Sequence, residues 1–207
     1  LYGDAGDDTI TTNGIGDVVE AGEGDNQINI SGSGVFNSGS GDDVFQLNPG
    51  NYSKDSIYDN LITISSGLGN DTFLVDTVID FDGDKEDFSI NAGDGDNSII
   101  SLSGIGEWVS GSGSDTIKFA TDDDRRLGLI HTLHAGDNND EITIETDSTV
   151  YYVYGDGGDD TISLTGSDGG AAFFLGVYGG DGNDIIEASG ETNYRNGDDV
   201  VLIGGIH

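Results

Sequence analysis

Apolar side chains recur along the chain in pairs two positions apart: Ile28 and Ile30, Phe45 and Leu47, Phe73 and Val75, Ile117 and Phe119, Ile142 and Ile144, Ile162 and Leu164, Val201 and Ile203. Alternation at period two turns both members of a pair to one face of an extended strand. Each pair follows a run rich in Gly and Asp, which reads as a turn. A fainter second set of strands is predicted at 61–64, 78–81, 88–90, 127–130, 150–154 and 173–177. No stretch carries a helical period with caps, so the fold class is all-β.

The Gly/Asp runs are copies of one unit. In nine-residue frames they read GDAGDDTIT (Gly3–Thr11), AGEGDNQIN (Ala21–Asn29), SGSGDDVFQ (Ser38–Gln46), SGLGNDTFL (Ser66–Leu74) and AGDGDNSII (Ala92–Ile100). They continue with SGSGSDTIK (Ser110–Lys118), AGDNNDEIT (Ala135–Thr143), GDGGDDTIS (Gly155–Ser163), GGDGNDIIE (Gly179–Glu187) and YRNGDDVVL (Tyr194–Leu202). The sixth positions are Asp8, Asn26, Asp43, Asp71, Asn97, Asp115, Asp140, Asp160, Asp184 and Asp199, at intervals of 18, 17, 28, 26, 18, 25, 20, 24 and 15 residues. A coil of two nonapeptides takes about 18 residues, so the strong copies fall once per coil. Between them lie degraded turns at 12–20, 32–37 and 104–109 and longer segments at 48–60, 121–126 and 165–170. The prediction is one continuous parallel β-solenoid over residues 1–207, of about ten coils and roughly 48 Å. Strong turns line one edge, and insertions vary the other. The start at Leu1, without Met or a signal peptide, reads as a piece of a longer protein.

The frame Gly179–Glu187 fits G-G-x-G-x-D-x-U-x at every position, with U a large apolar residue. From about residue 3 to 202 the chain resembles the RTX family, the Gly/Asp-rich nonapeptide repeats of secreted bacterial proteins. The resemblance implies a right-handed parallel β-roll in which six residues form a calcium-binding turn and three form a strand. It also implies a chain kept unfolded in calcium-poor cytosol and folded outside. Asn26 and Asn97 depart from the sixth-position Asp, and Arg195 and Asn196 intrude on the last turn, so weaker binding is predicted there. Residues 76–90 resemble a D-x-I-x-D-F-x-x-G-x-D segment that follows such repeats in secreted proteases, with Asp80 and Phe81 in matching places. Because repeats resume at once, a widened coil is expected there, with Asp82, Asp84 and Asp87 as surface carboxylates and, as the alternative, ligands of an extra ion.

Composition sharpens the problem. Forty Asp and Glu face six Lys and Arg, a net charge of -34 over 207 residues, with 36 Gly. Phosphate backbones need clustered cations, so nucleic acid and anionic membranes are excluded as partners. No apolar run approaches the roughly 20 residues of a membrane helix, so no membrane insertion is expected. With no Cys there is no disulfide, zinc-thiolate site or catalytic thiol. A chain this acidic and Gly-rich buries too little apolar surface to offset its ordering entropy, so it folds only if a cation holds it together.

Calcium suits the repeat on physical grounds. It takes six to eight hard oxygens from carboxylates and carbonyls, and a Gly-rich turn can aim several carbonyls inward. One turn supplies too few oxygens, whereas two turns stacked at about 4.8 Å can share an ion. The ten sixth-position residues are the candidate ligands, enclosing about nine Ca2+ sites on one edge, with Asp17 as a candidate on the other. At affinities of about 10⁻⁴ to 10⁻³ M, millimolar calcium stabilises by roughly 0.4 to 1.4 kcal/mol per site. About nine such sites supply about 4 to 13 kcal/mol, comparable to a whole domain.

Catalysis finds no constellation. His131, His134 and His207 share no spacing with a base or nucleophile and read as loop or rim residues. Lys54, Lys85, Lys118, Arg125, Arg126 and Arg195 are scattered, unlike the cationic groove needed to cleave acidic polysaccharide. Tyr151, Tyr152, Tyr154, Phe173, Phe174, Tyr178 and Trp108 are expected to fill wide coils and cap the return face, with a glycan-stacking surface as the alternative. The outward row Thr9, Gln27, Val44, Thr72, Ser98, Thr116, Glu141, Thr161, Ile185 and Val200 is too irregular for an ice-matching face. The expected function is a non-enzymatic, calcium-stabilised structural or spacer module of a secreted or cell-surface bacterial protein, such as an adhesin, surface layer or filament. Its open ends imply stacking on further repeats or another copy. The alternative is a non-catalytic module of a secreted enzyme that aids folding or polysaccharide binding.

Overall fold

The computed structural model describes residues 1–48, 62–75, 88–102, 106–120, 130–146, 149–166, 173–189 and 201–203. The first half of the chain forms β1 (Thr9–Thr12), β2 (Ile15–Glu23), β3 (Gln27–Ile30), β4 (Ser33–Ser40), β5 (Val44–Leu47), β6 (Ile62–Leu68), β7 (Thr72–Val75), β8 (Phe88–Asn91) and β9 (Ser98–Ser101). The second half forms β10 (Gly106–Val109), β11 (Thr116–Ala120), β12 (Ile130–Asp137), β13 (Glu141–Thr146), β14 (Thr149–Gly157), β15 (Thr161–Gly166), β16 (Phe173–Asp181), β17 (Ile185–Ser189) and β18 (Val201–Ile203). Odd-numbered strands β1 to β17 make one nine-stranded sheet and even-numbered strands β2 to β18 make another. Every strand pair is parallel. The chain therefore alternates between two parallel sheets, which is a parallel β-solenoid. Nine strands at about 4.8 Å span roughly 40 Å.

The paired apolar residues lie where the alternation put them. Ile28, Ile30, Phe45, Leu47, Phe73, Val75, Ile117, Phe119, Ile142, Ile144, Ile162 and Leu164 belong to one buried core. In-register pairing stacks like on like: Ile10 on Ile28, Ile28 on Phe45, Phe45 on Phe73. The Phe45 and Phe73 rings lie parallel with centroids 5.1 Å apart. Trp108 of the even sheet meets Phe119 of the odd sheet edge-on at 5.0 Å, so a single layer of side chains fills the space between sheets.

The return sheet corrects three sequence readings. Segments 12–20, 32–37 and 104–109, expected as degraded turns, contribute to β2, β4 and β10. These strands carry few large apolar residues because their turn-proximal core positions are small: Ala21 and Ser38 are buried as completely as Phe36. A fourth correction concerns Val201–Ile203, which was expected to follow a strong turn. It pairs with β16 in the return sheet. The tenth copy thus adds its strand to the even sheet, and each sheet counts nine strands where about ten coils were expected.

The two edges differ in regularity. From the even to the odd sheet the connection is three residues at 24–26, 41–43 and 69–71. From the odd to the even sheet it ranges from Asn13 and Gly14 up to residues 48–61. The expected insertions at 48–60, 121–126 and 165–170, and the segment at 76–87, lie wholly or mostly outside the described residues.

Candidate metal-binding edge

Nine strong turns repeat one backbone conformation. Positions two and four of each frame have positive φ, from Asp4 (72°) and Gly6 (118°) in the first to Gly180 (107°) and Gly182 (134°) in the last. Glycine is used because an L side chain is strained there. The exceptions, Asp4, Asn138 and Asp156, are all Asp or Asn, the residues that best tolerate this region. Stacking adds a second demand. A Cβ on Gly69 would sit 2.0 Å from the Gly41 carbonyl oxygen one coil before.

These turns bring the sixth-position residues into an unbroken column. Each Oδ1 accepts the backbone N–H of the sixth residue in the preceding coil. Asp8 donates to Asn26 at 3.0 Å, Asn26 to Asp43 at 2.8 Å, Asp43 to Asp71 at 2.8 Å and Asp71 to Asn97 at 2.9 Å. The series continues from Asn97 to Asp115 at 2.7 Å, Asp115 to Asp140 at 2.8 Å, Asp140 to Asp160 at 2.9 Å and Asp160 to Asp184 at 3.0 Å. The sequence separations across these bonds, from 17 to 28 residues, equal the intervals between sixth positions, so each strong copy is one coil on from the last. Asp43, Asp71, Asp115, Asp140 and Asp160 are at most 3% exposed.

The second carboxylate oxygen has no such partner. Oδ2 of Asp8, Asp43, Asp71, Asp115, Asp140, Asp160 and Asp184 is buried without a hydrogen bond. Its neighbours are backbone: a Cβ placed on Gly155 would lie 2.2 Å from Asp160 Oδ2 and 2.3 Å from the Gly179 carbonyl of the next coil. A carboxylate oxygen and a carbonyl thus face one corner, acceptor against acceptor. The fourth-position carbonyls, such as those of Gly41 and Gly69, also receive no backbone N–H among the described residues.

Electrostatics follows burial. Desolvation pushes Asp71 up to about 6, Asp160 to about 6 and Asp140 to about 7, and raises Asp43 and Asp115 as well. Ser38 and Ser66 stand beside Asp43 and Asp71 and oppose the rise. Their hydroxyl protons go elsewhere, however, to the Ser66 carbonyl at 2.8 Å and the Ala92 carbonyl at 2.6 Å, so they leave Oδ2 unpaired.

A parallel column one residue earlier escaped the sequence reading. Fifth-position side chains accept in the opposite direction, from the N–H of the following coil. Asp7 accepts from Asp25 at 3.0 Å, Asp25 from Asp42 at 2.9 Å, Asp42 from Asn70 at 2.8 Å, Asn70 from Asp96 at 2.8 Å and Asp159 from Asn183 at 2.8 Å. All are exposed. The signal was present as an Asp or Asn at that position in eight of the nine turns, Ser114 being the exception.

Among the described residues no three or more His, Asp or Glu side chains converge on one point. The Asp8 and Asp160 corners hold instead one orphaned carboxylate oxygen with a backbone carbonyl of the next coil, an oxygen-only set of the kind calcium accepts. Asp17 does not join this column. It lies in β2 on the other edge, half-buried, with Oδ2 accepting the Gly14 N–H at 3.0 Å and Gly34 opposite it in the next coil. Asp199 lies outside the described residues.

The outer face of the return sheet carries part of the aromatic set expected to cap it. His134 and Tyr154 stack with centroids 4.5 Å apart, Tyr154 and Tyr178 at 4.9 Å, and Tyr152 lies 6.3 Å from Tyr154. These rings form a ladder outside the coil rather than filling it, while Trp108 alone of the expected set is shown in the core. His134, expected in a loop or rim, is in a strand and bonds Asp156 Oδ2 through Nδ1 at 2.8 Å.

Comparison with known proteins returns no similarity: no family model, no curated protein and no solved structure matches the chain.

Proposed function

We propose that this chain is a calcium-stabilised structural module of the RTX type, folding outside the cell into a stiff spacer of a secreted or surface protein. The observation that supports it is the column of buried Asp Oδ2 atoms without hydrogen-bond partners, which in the Asp8 and Asp160 turns share a corner with a backbone carbonyl of the next coil. A buried charge without a partner is costly, and here seven recur along one edge of a chain carrying -34. A hard divalent cation would satisfy both acceptors and offset the charge. Asp43, Asp71, Asp115, Asp140 and Asp160 would hold it, with carbonyls of their own turn and of the next coil. Bound ions would supply cross-links between coils, while the chain's own residues set the spacing and exclude water.

Millimolar calcium is an extracellular condition, which is why the reading places the folded state outside the cell. The spacer role rests on the regular stacking. Among the described residues β1 is the first strand of the odd sheet, and Leu1 and Tyr2 beside it are 58% and 80% exposed. Circular dichroism and sizing test the reading. A β-rich, compact chain in millimolar calcium that loses both properties in excess chelator at pH 7.5 is the expected outcome. A β-rich spectrum that persists in chelator contradicts it.

A further inference from the structure

We propose that Asn26 and Asn97 are ion-free rungs, in which the side-chain amide occupies the place a cation holds in the Asp turns. The edge is thereby divided into separate cation-binding blocks, Asp8, Asp43 with Asp71, and Asp115 through Asp184. This rests on the calcium reading above and refines it.

The amide orientation is fixed by its neighbours. Asn26 Oδ1 accepts the Asp8 N–H at 3.0 Å and Asn97 Oδ1 accepts the Asp71 N–H at 2.9 Å, as an Asp does in every other rung. A reversed amide would set donor against donor. Nδ2 therefore points where Oδ2 points in an Asp turn. From there Asn26 donates to the carbonyl of Gly24 at 2.8 Å and, more distantly, to that of Gly22 at 3.5 Å. Asn97 donates to Gly95 at 3.0 Å, to Ser110 of the next coil at 3.0 Å and at longer range to Gly93 at 3.5 Å. The corner where seven Asp turns leave Oδ2 without a hydrogen bond is satisfied by N–H groups in these two. An amide nitrogen has no lone pair to offer an ion and its protons already fill the carbonyl lobes.

The first position of the frame agrees. Both Asn turns carry Ala there, Ala21 and Ala92, whereas Ser38, Ser66 and Ser110 accompany Asp43, Asp71 and Asp115. Those serines donate to the first-position carbonyl of the next coil, at Ser66, Ala92 and Ala135. Asn97 reaches the equivalent carbonyl, that of Ser110, by itself. Asp140 has Ala135 at its first position and so neither donor. It is the turn that one substitution, Asp140→Asn, converts into the Asn97 type.

The experiment compares the full chain with Asn97→Asp and Asp140→Asn by equilibrium dialysis against calcium chloride, counting metal per chain. The calcium midpoint of folding is followed by circular dichroism. Asn97→Asp is expected to gain one ion per chain and fold at higher calcium. Asp140→Asn is expected to lose one and fold at lower calcium. Equal ion counts in all three overturn the proposal and leave the calcium reading standing. If the unaltered chain binds no calcium, that reading fails, and melting in chelator decides the amide's role. A lower midpoint for Asn97→Asp with a higher one for Asp140→Asn upholds it, and unchanged midpoints overturn it.

Discussion

Asp159 and Asp160 are adjacent in sequence, each accepts a backbone N–H from a neighbouring coil, and they belong to opposite electrostatic regimes. Asp159, in the outer column, is exposed and held below the usual carboxylate range by the N–H and side-chain amide of Asn183. Asp160, in the inner column, is 1% exposed and pushed up to about 6 by burial, despite the same kind of bond to the Asp140 N–H. The turn between β14 and β15 carries one side chain outward and the next inward. The hydrogen bond is common to both columns, so it sets the spacing of coils, while burial alone decides which column needs a counter-charge.

Acidity should separate the columns most. In the inner column Asp71 and Asp160 have folded-state pKa values raised to about 6 and Asp140 to about 7, against an ordinary value near 4. Between pH 4 and 7 the folded chain therefore holds more protons than the unfolded one. In the absence of calcium, stability is fullest below about pH 4 and is lost as pH rises through about 7, by an order of 3 kcal/mol per strongly shifted carboxyl. Chelated protein is expected to regain β-structure on titration from pH 8 to pH 5, followed by circular dichroism. Loss of structure on acidification would show that the inner column is not the controlling set.

Truncation within calcium-loaded protein gives the next largest contrast. Asp160→Ala removes the acceptor of the buried Asp140 N–H together with a proposed ion ligand, and should cost about 2–4 kcal/mol in denaturant unfolding. The smallest effect belongs to the outer column. Asp42→Ala removes an exposed acceptor for the Asn70 N–H, where water can replace it, and should cost about 0.5–1 kcal/mol. Similar losses at the two sites would erase the distinction.

Much of this was legible in the sequence. Large apolar pairs such as Phe45 with Leu47 announce β5, and the sixth-position spacing gives one coil per strong copy because parallel stacking preserves phase. The return strands were harder. In IGDVVEAGE only Val19 and Ala21 are buried core residues, since the tight corner admits nothing larger than Ser or Ala beside the sixth-position side chain. The direction of each Asp was readable as alternation, but not the orphaned Oδ2, which depends on where the next coil's carbonyls fall. The stacking of His134, Tyr154 and Tyr178 was hidden for another reason. It depends on register between strands about twenty residues apart, and intervening segments of varying length disguise that register.

Anomalous diffraction from crystals grown in calcium tests the central claim most directly. The account predicts calcium peaks within about 2.3–2.6 Å of Oδ2 of Asp43, Asp71, Asp115, Asp140 and Asp160. A map without peaks along that column, with those oxygens bonded to water or to a carbonyl through a proton, would contradict it.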